Sequence, residues 1–219
     1  MAKGEIHLIM GGKLSLLQFA RLAANVHEWV DYIHLREKSA TARELLAAAK
    51  DMLSSGIPAA QLVINDRIDV ALASEASGVQ LGWHSLDPAV ARLLAPGLRL
   101  GRSVHSAAEA EEAAMQGADY CLYGHVYPSA SKPGQPAHGL ALLAETVRRC
   151  PLPVIAIGGI GPGNAGEVMQ QGAAGIAVMS GICGAGDPCS AARAIRLAVQ
   201  GAPGRDLGAK EVTFDEIAD

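Results

Sequence analysis

The segment YGHVYPSASKPGQPAHG, residues 123–139, places an imidazole and an amine seven positions apart, at His125 and Lys132. Histidine is the side chain whose ordinary pKa lies close enough to neutrality to take a proton and give it back. No acidic residue adjoins His125 in sequence, so its tuning must come from the fold. It stands where an apolar run ends, and the Pro-, Gly- and Ser-rich stretch behind it holds few residues that could fill a core. This layout suits a proton carrier fixed at a strand end beneath a loop that carries Lys132. The plainer reading is a hydrogen-bonded rim histidine followed by a connection.

Two glycine sites suggest where an anion would sit. IAIGGIGPGN supplies Gly158, Gly159 and Ile160, and VMSGI supplies Ser180 and Gly181. Glycines let backbone amides approach a phosphate, a helix start adds to the attraction, and Ser180 offers a hydroxyl. A carboxylate at position 159 is then expected to fill the anion site while leaving the fold intact. Taken alone, the glycines could simply permit turns. His34 and Arg36 lie two apart and so share one face of a strand. An inward arginine can fork onto a carboxylate or phosphate, with Lys38 just beyond; an ion pair of Arg36 with Glu37 or Asp66 is the structural alternative. Asn65 and Asp66 end another apolar run. Asp66 suits a hard cation or, equally, the cap of the helix that follows. Ser103 closes a further run. His84, His105 and His138 fall near the same ends with no assignable role.

For these residues to meet, the elements must deliver them to one place. Short β-like runs occur at 5–10, 31–36, 61–65, 78–82, 98–103, 119–124, 153–159 and 175–181, separated by Ala- and Leu-rich stretches with helical spacing. Alternating strands and helices imply parallel pairing, because each parallel step needs a crossover. Eight such units predict an α/β fold, a single-domain (βα)8 TIM barrel over residues 1–200, with a polar tail at 201–219 that reads as a disordered or a surface-packed extension. A doubly wound open sheet is the alternative, but MGGK is a poor dinucleotide turn. Gly56, Gly117 and Gly172 fall where helices should end, and Ser106 can cap one. In a barrel all strand ends face one mouth, where chemistry is built, and the loops after the seventh and eighth strands commonly hold phosphate.

Composition narrows the classes. The chain has 219 residues, 50% hydrophobic, with a net charge of -4 and 4% aromatics. Weak acidity and scarce aromatics argue against nucleic acid as a partner. No apolar run approaches the ~20 residues of a membrane span, and the start lacks a signal-peptide layout, so a cytoplasmic location is expected. The four cysteines form no CxxC pair and are expected to be reduced and mostly buried.

The ordered series HLREK, INDRIDVALA, GRSVHS, GHVYPSASK, PVIAIGGI and AVMSGI resembles the thiamine phosphate synthase family and, within it, the thiazole tautomerases (TenI). The resemblance runs from residue 5 to about 200. The synthases place a second carboxylate for Mg²⁺ after strand four, where this chain has Ser85, with Asp87 out of register. They also usually read Gly-Pro after strand six, where this chain has Gly124-His125, as in the tautomerases; Lys132 is synthase-like. The resemblance therefore implies an isomerase that aromatises a dihydrothiazole (ylidene) carboxylate phosphate, without metal or other cofactor. Its catalytic residue would be His125. Its substrate would be held by His34, Arg36, Lys38, Asn65, Ser103 and Lys132, and the phosphate by Gly158, Gly159, Ile160, Ser180 and Gly181. The partner is the small phosphorylated thiazole, and a homodimer is expected. The alternatives are the Mg²⁺-dependent synthase, a non-catalytic ligand sensor, or an isomerase of another phosphorylated metabolite.

Overall fold

The computed structural model describes residues 4–11, 14–129 and 131–202. Eight parallel strands close into a barrel in sequence order. They are β1 (Glu5–Ile9), β2 (Tyr32–Leu35), β3 (Leu62–Asn65), β4 (Gly78–Leu81), β5 (Arg99–Val104), β6 (Tyr120–Gly124), β7 (Val154–Ile157) and β8 (Gly175–Val178). Seven strands fall within the runs that predicted them, and β5 extends one residue past its run, to Val104. The expected tail lies outside the described residues beyond Ala202. Among the described residues no helix is long and apolar enough to cross a membrane.

Nine α-helices are present among the described residues: α1 (Leu16–Val26), α2 (Ala42–Ser54), α3 (Ile68–Ala73), α4 (Pro88–Leu94), α5 (Ala107–Met115), α6 (Gly139–Arg149), α7 (Ala165–Gln170), α8 (Ser180–Cys183) and α9 (Pro188–Gln200). Their starts are chemically marked. Ser15 with Gln18 and Thr41 with Glu44 form capping boxes on α1 and α2, and Ser106 accepts from the Glu109 amide on α5 as expected. Gly56, Gly117 and Gly172 follow the ends of α2, α5 and α7 with positive φ, which lets the chain reverse toward the next strand. The start of α3 differs from expectation. Asp66 does not cap it: Arg67 holds the cap position without a side-chain bond, while Asp66 is exposed with φ at 68°.

The main core lies between the outer strand faces and the helices and includes Ile33, Leu35, Ile64, Tyr123 and Val126. A second cluster, Ile9, Tyr120, Leu122, Ile155 and Ala177, fills the barrel from the β6–β8 side. The opposite inner wall is polar: His7 and His34 are fully buried, Gln80 nearly so, and Arg99 lies over the rings of Tyr32 and Tyr120. The cysteines are free, but only Cys121 and Cys150 are buried; Cys183 is half-buried and Cys189 exposed, which corrects the expectation of mostly buried thiols.

Candidate active site

The carboxyl ends of the strands carry the expected residues to one mouth. Beyond β6 the chain continues along β7, with Val126 N–H donating to the Ile157 carbonyl and Tyr127 N–H to the Gly158 carbonyl. It then leaves as a loop whose ends meet again, because the amides of His138 and Gly139 donate to the carbonyls of His125 and Val126 at 3.0 and 2.9 Å. The excursion crosses the mouth, since the Ser131 hydroxyl reaches the Met179 sulfur at the end of β8 at 3.6 Å.

His125 lies beneath this loop and is 5% exposed. Its Nε2 is 3.3 Å from the Gln135 carbonyl. A carbonyl only accepts, so Nε2 carries the proton and Nδ1 is left as the basic nitrogen. That Nδ1 is buried and has no partner among the described residues. The His138 ring packs against His125 edge-on at 5.6 Å, and the His105 ring lies 6.3 Å from His138. Burial, then the charges of His125, His105 and Lys132, hold His138 below the usual imidazole range. Lys132 thus stands near enough to this cluster for its charge to act on His138. His105 itself lies within 3.4 Å of Glu109 on α5.

The two glycine sites adjoin each other and this loop. A Cβ on Gly181 would lie 3.5 Å from the Ile160 carbonyl, and one on Gly159 would lie 2.6 Å from the Pro128 carbonyl. Asn164 closes the β7 turn, accepting from Gly161 N–H at 2.8 Å and donating to the Gly159 carbonyl at 3.0 Å. Ser180 and Gly181 are exposed at the start of α8, where first-turn amides lack helical partners. Gly158 and Gly159 have φ of 105° and 66°. A Cβ on Gly158 would collide with the Cβ of His125, and one on Gly159 would come within 2.7 Å of the Tyr127 Cβ. Both glycines are therefore required by the close packing of the β6 and β7 loops. A side chain at 159 would disturb the fold, contrary to the expectation that it would affect only an anion.

Across the mouth, Ser103 accepts from the Gln80 amide at 3.1 Å. Arg36 is half-buried and Lys38 exposed. Arg36 has no ion pair among the described residues, and Glu37 is bonded to Ser39 instead, so the alternative of a structural pairing does not form there. His34 faces inward as its spacing requires, but it sits below the rim, 0% exposed, with Nε2 on His7 Nδ1 at 2.8 Å. Asn65, the last residue of β3, adjoins it. Ser85 uses its hydroxyl to accept the Gly82 amide at 2.7 Å, and Asp87 lies 3.7 Å from Arg102.

Sequence reasoning missed Glu5, His7, Gln80 and Arg99. The signal was present for the first two: in EIHLIM the alternation puts Glu5 and His7 on the same face, a polar pair inside an apolar strand.

Comparison with known proteins adds a family. The model of the family TMP-TENI, described as thiamine monophosphate synthase, matches residues 6–182. The thiamine-phosphate synthase of Roseiflexus castenholzii is 39% identical over 84% of this chain and 81% of its own length. That of Methanoculleus marisnigri is 42% identical over 81% of this chain and 84% of its own. The solved thiamine phosphate pyrophosphorylase from Pyrococcus furiosus superposes with a TM-score of 0.80 at 35% identity, covering 93% of this chain and 98% of that one. A 3-hexulose-6-phosphate synthase, TM-score 0.73 at 20% identity, shares the barrel. The Roseiflexus and Methanoculleus relatives bear the name of the synthase, not of the tautomerase.

Proposed function

Because the chain belongs to the thiamine monophosphate synthase family, we propose that it is an enzyme of thiamine biosynthesis and, within that family, a thiazole tautomerase. The reaction isomerises a dihydrothiazole with an exocyclic double bond, bearing a carboxylate and a phosphate, to the aromatic carboxythiazole phosphate. A proton leaves ring carbon 2 and a proton arrives at the exocyclic carbon, so atoms and electrons balance without redox chemistry. Aromaticity supplies the driving force, and the protein need only lower the proton-transfer barrier.

The observation that carries this reading is His125. Its Nε2–H is held on a backbone carbonyl, which leaves one basic nitrogen of fixed tautomer beneath a loop that crosses the mouth. Such a group can deliver the proton to the exocyclic carbon and can take one from the ring. The adjoining turns at Gly158–Ile160 and Ser180–Gly181 would hold the phosphate through backbone amides. Arg36, which makes no ion pair among the described residues, would orient the carboxylate, aided by Lys38 or Lys132; His34, Asn65 and Ser103 would face the ring.

The names of the relatives favour a second reading, the synthase, which couples a pyrimidine pyrophosphate to a thiazole phosphate with Mg²⁺. The donor set here does not fit that metal. Ser85 spends its oxygen on its own turn, Asp87 is drawn to Arg102, and Asp66 remains as a single carboxylate. One carboxylate is too few for a hard cation that must also bind pyrophosphate. The test offers the purified protein both substrate sets. The tautomerase reading expects aromatisation of the dihydrothiazole in EDTA and no coupling with Mg²⁺. Mg²⁺-dependent coupling without aromatisation would establish the synthase instead.

A further inference from the structure

The proposed reaction does not account for the buried polar chain in the lower barrel. Glu5 Oε2 lies 3.0 Å from His7 Nε2, and His7 Nδ1 lies 2.8 Å from His34 Nε2. Arg99 Nη2 bonds both Glu5 oxygens, at 3.2 and 3.0 Å. Both histidines are fully buried, whereas apolar Leu122, Ile155 and Ala177 line the other side of the barrel.

The chain has a direction. Beside Arg99, Glu5 is a carboxylate and only accepts, so His7 Nε2 carries a proton. In a neutral imidazole the other nitrogen then accepts. His7 Nδ1 therefore takes its hydrogen bond from His34 Nε2–H, and the last free lone pair is on His34 Nδ1. That atom is buried and meets no partner within hydrogen-bond geometry among the described residues. The polar side chain beside it is Asn65 at the end of β3, whose Oδ1 is likewise unsatisfied and whose amide N–H can donate to Nδ1, which keeps the same tautomer. The arrangement follows the logic of a carboxylate that fixes a histidine tautomer and stabilises its imidazolium, extended by one imidazole.

We infer that His34 is a second proton carrier of this site, with Glu5 and His7 as the positioning residues that hold Nδ1 basic. The inference rests on the tautomerase reading and divides its two steps. His34 Nδ1 takes the proton from ring carbon 2, and the C–H electron pair enters the ring system. His125, in its protonated form, gives a proton to the exocyclic carbon. After product leaves, His34 gives its proton to water and His125 takes one from water.

Solvent-deuterium exchange at carbon 2, measured beside aromatisation, separates the steps. His125→Ala should lose aromatisation at least a hundredfold yet keep exchanging carbon 2. His34→Gln, which retains a donor for His7, should lose both at least tenfold. Glu5→Gln should slow exchange about tenfold with KM within twofold. It should also move the acidic limb of the pH profile to lower pH, since imidazolium loses its counter-charge. The other groups facing the pair are Arg99, Asp31, Tyr32 and Tyr120; a merely structural Glu5 would leave the limb in place. Exchange that survives in His34→Gln, or disappears in His125→Ala, overturns the division. If the wild-type protein neither exchanges nor aromatises, the tautomerase reading itself fails. The fixed tautomer is judged separately by ¹⁵N NMR of the unliganded protein: protonated Nε2 and bare Nδ1 on His34 are expected, and the opposite tautomer contradicts the chain.

Discussion

His7 and His34 are held neutral by burial, which lowers both below the ordinary imidazole range, His34 furthest. The unfolded chain then binds more protons than the native one once pH drops below the ordinary value near 6.5, so native stability declines as pH falls from there. Each histidine that titrates only in the unfolded chain contributes a slope of up to about 1.4 kcal/mol per pH unit. Glu5 extends the decline. Burial works to raise its pKa, but His7 and Arg99 bring it below the usual carboxylate value, so its stabilisation is lost below about 4.5. Melting temperatures from pH 8 to 4 should fall most steeply below 6.5, and a His7→Phe variant should flatten that fall. A parallel curve for His7→Phe would mean that the pair is not buried neutral. At the mouth, Lys132→Ala should reduce turnover less than loss of His125, because its charge reaches the cluster only at a distance. His125 was legible from its place at the end of an apolar run. Glu5 and His7 stand early in EIHLIM, away from the strand end where a barrel builds its chemistry.

The loops after β6 and β7 form one packed unit rather than two. Gly158 faces the Cβ of His125, and Gly159 faces Tyr127 and Pro128, both with positive φ. Any Cβ there adds strain of about 1–3 kcal/mol before the collisions are counted. Gly158→Ala should therefore lower the melting temperature and displace His125, reducing turnover as well. Ser180 is exposed and unstrained. Ser180→Asp should leave the melting temperature within a few degrees while weakening affinity for a phosphorylated thiazole at least tenfold, by isothermal titration. Unchanged affinity would place the phosphate elsewhere. The glycine pair was legible as a special backbone, but its neighbour was not. The contact between Gly158 and His125 joins positions 33 residues apart in sequence, and no local pattern encodes it. Asp66 failed as a cap for a similar reason: its amide donates to the Gln80 carbonyl of β4, and that pairing sets its backbone before the helix starts.

At the scale of the whole barrel, strand order was legible because apolar runs alternate with helices, and eight parallel strands close in sequence order. The division of the interior into an apolar wall and a polar one was not, since it depends on which inward faces meet across the axis. That division puts His7 and His34 on one wall and His125, packed against the glycine turns, on the other, an arrangement that suits the proposed reaction. The most direct test of this account is the aromatisation rate of the dihydrothiazole carboxylate phosphate, followed by ultraviolet absorbance in EDTA, for the wild-type protein and His125→Ala. The account predicts metal-independent turnover that falls ~10²–10⁴-fold in the variant with KM little changed. Turnover that needs Mg²⁺, or a His125→Ala rate near that of the wild type, would contradict it.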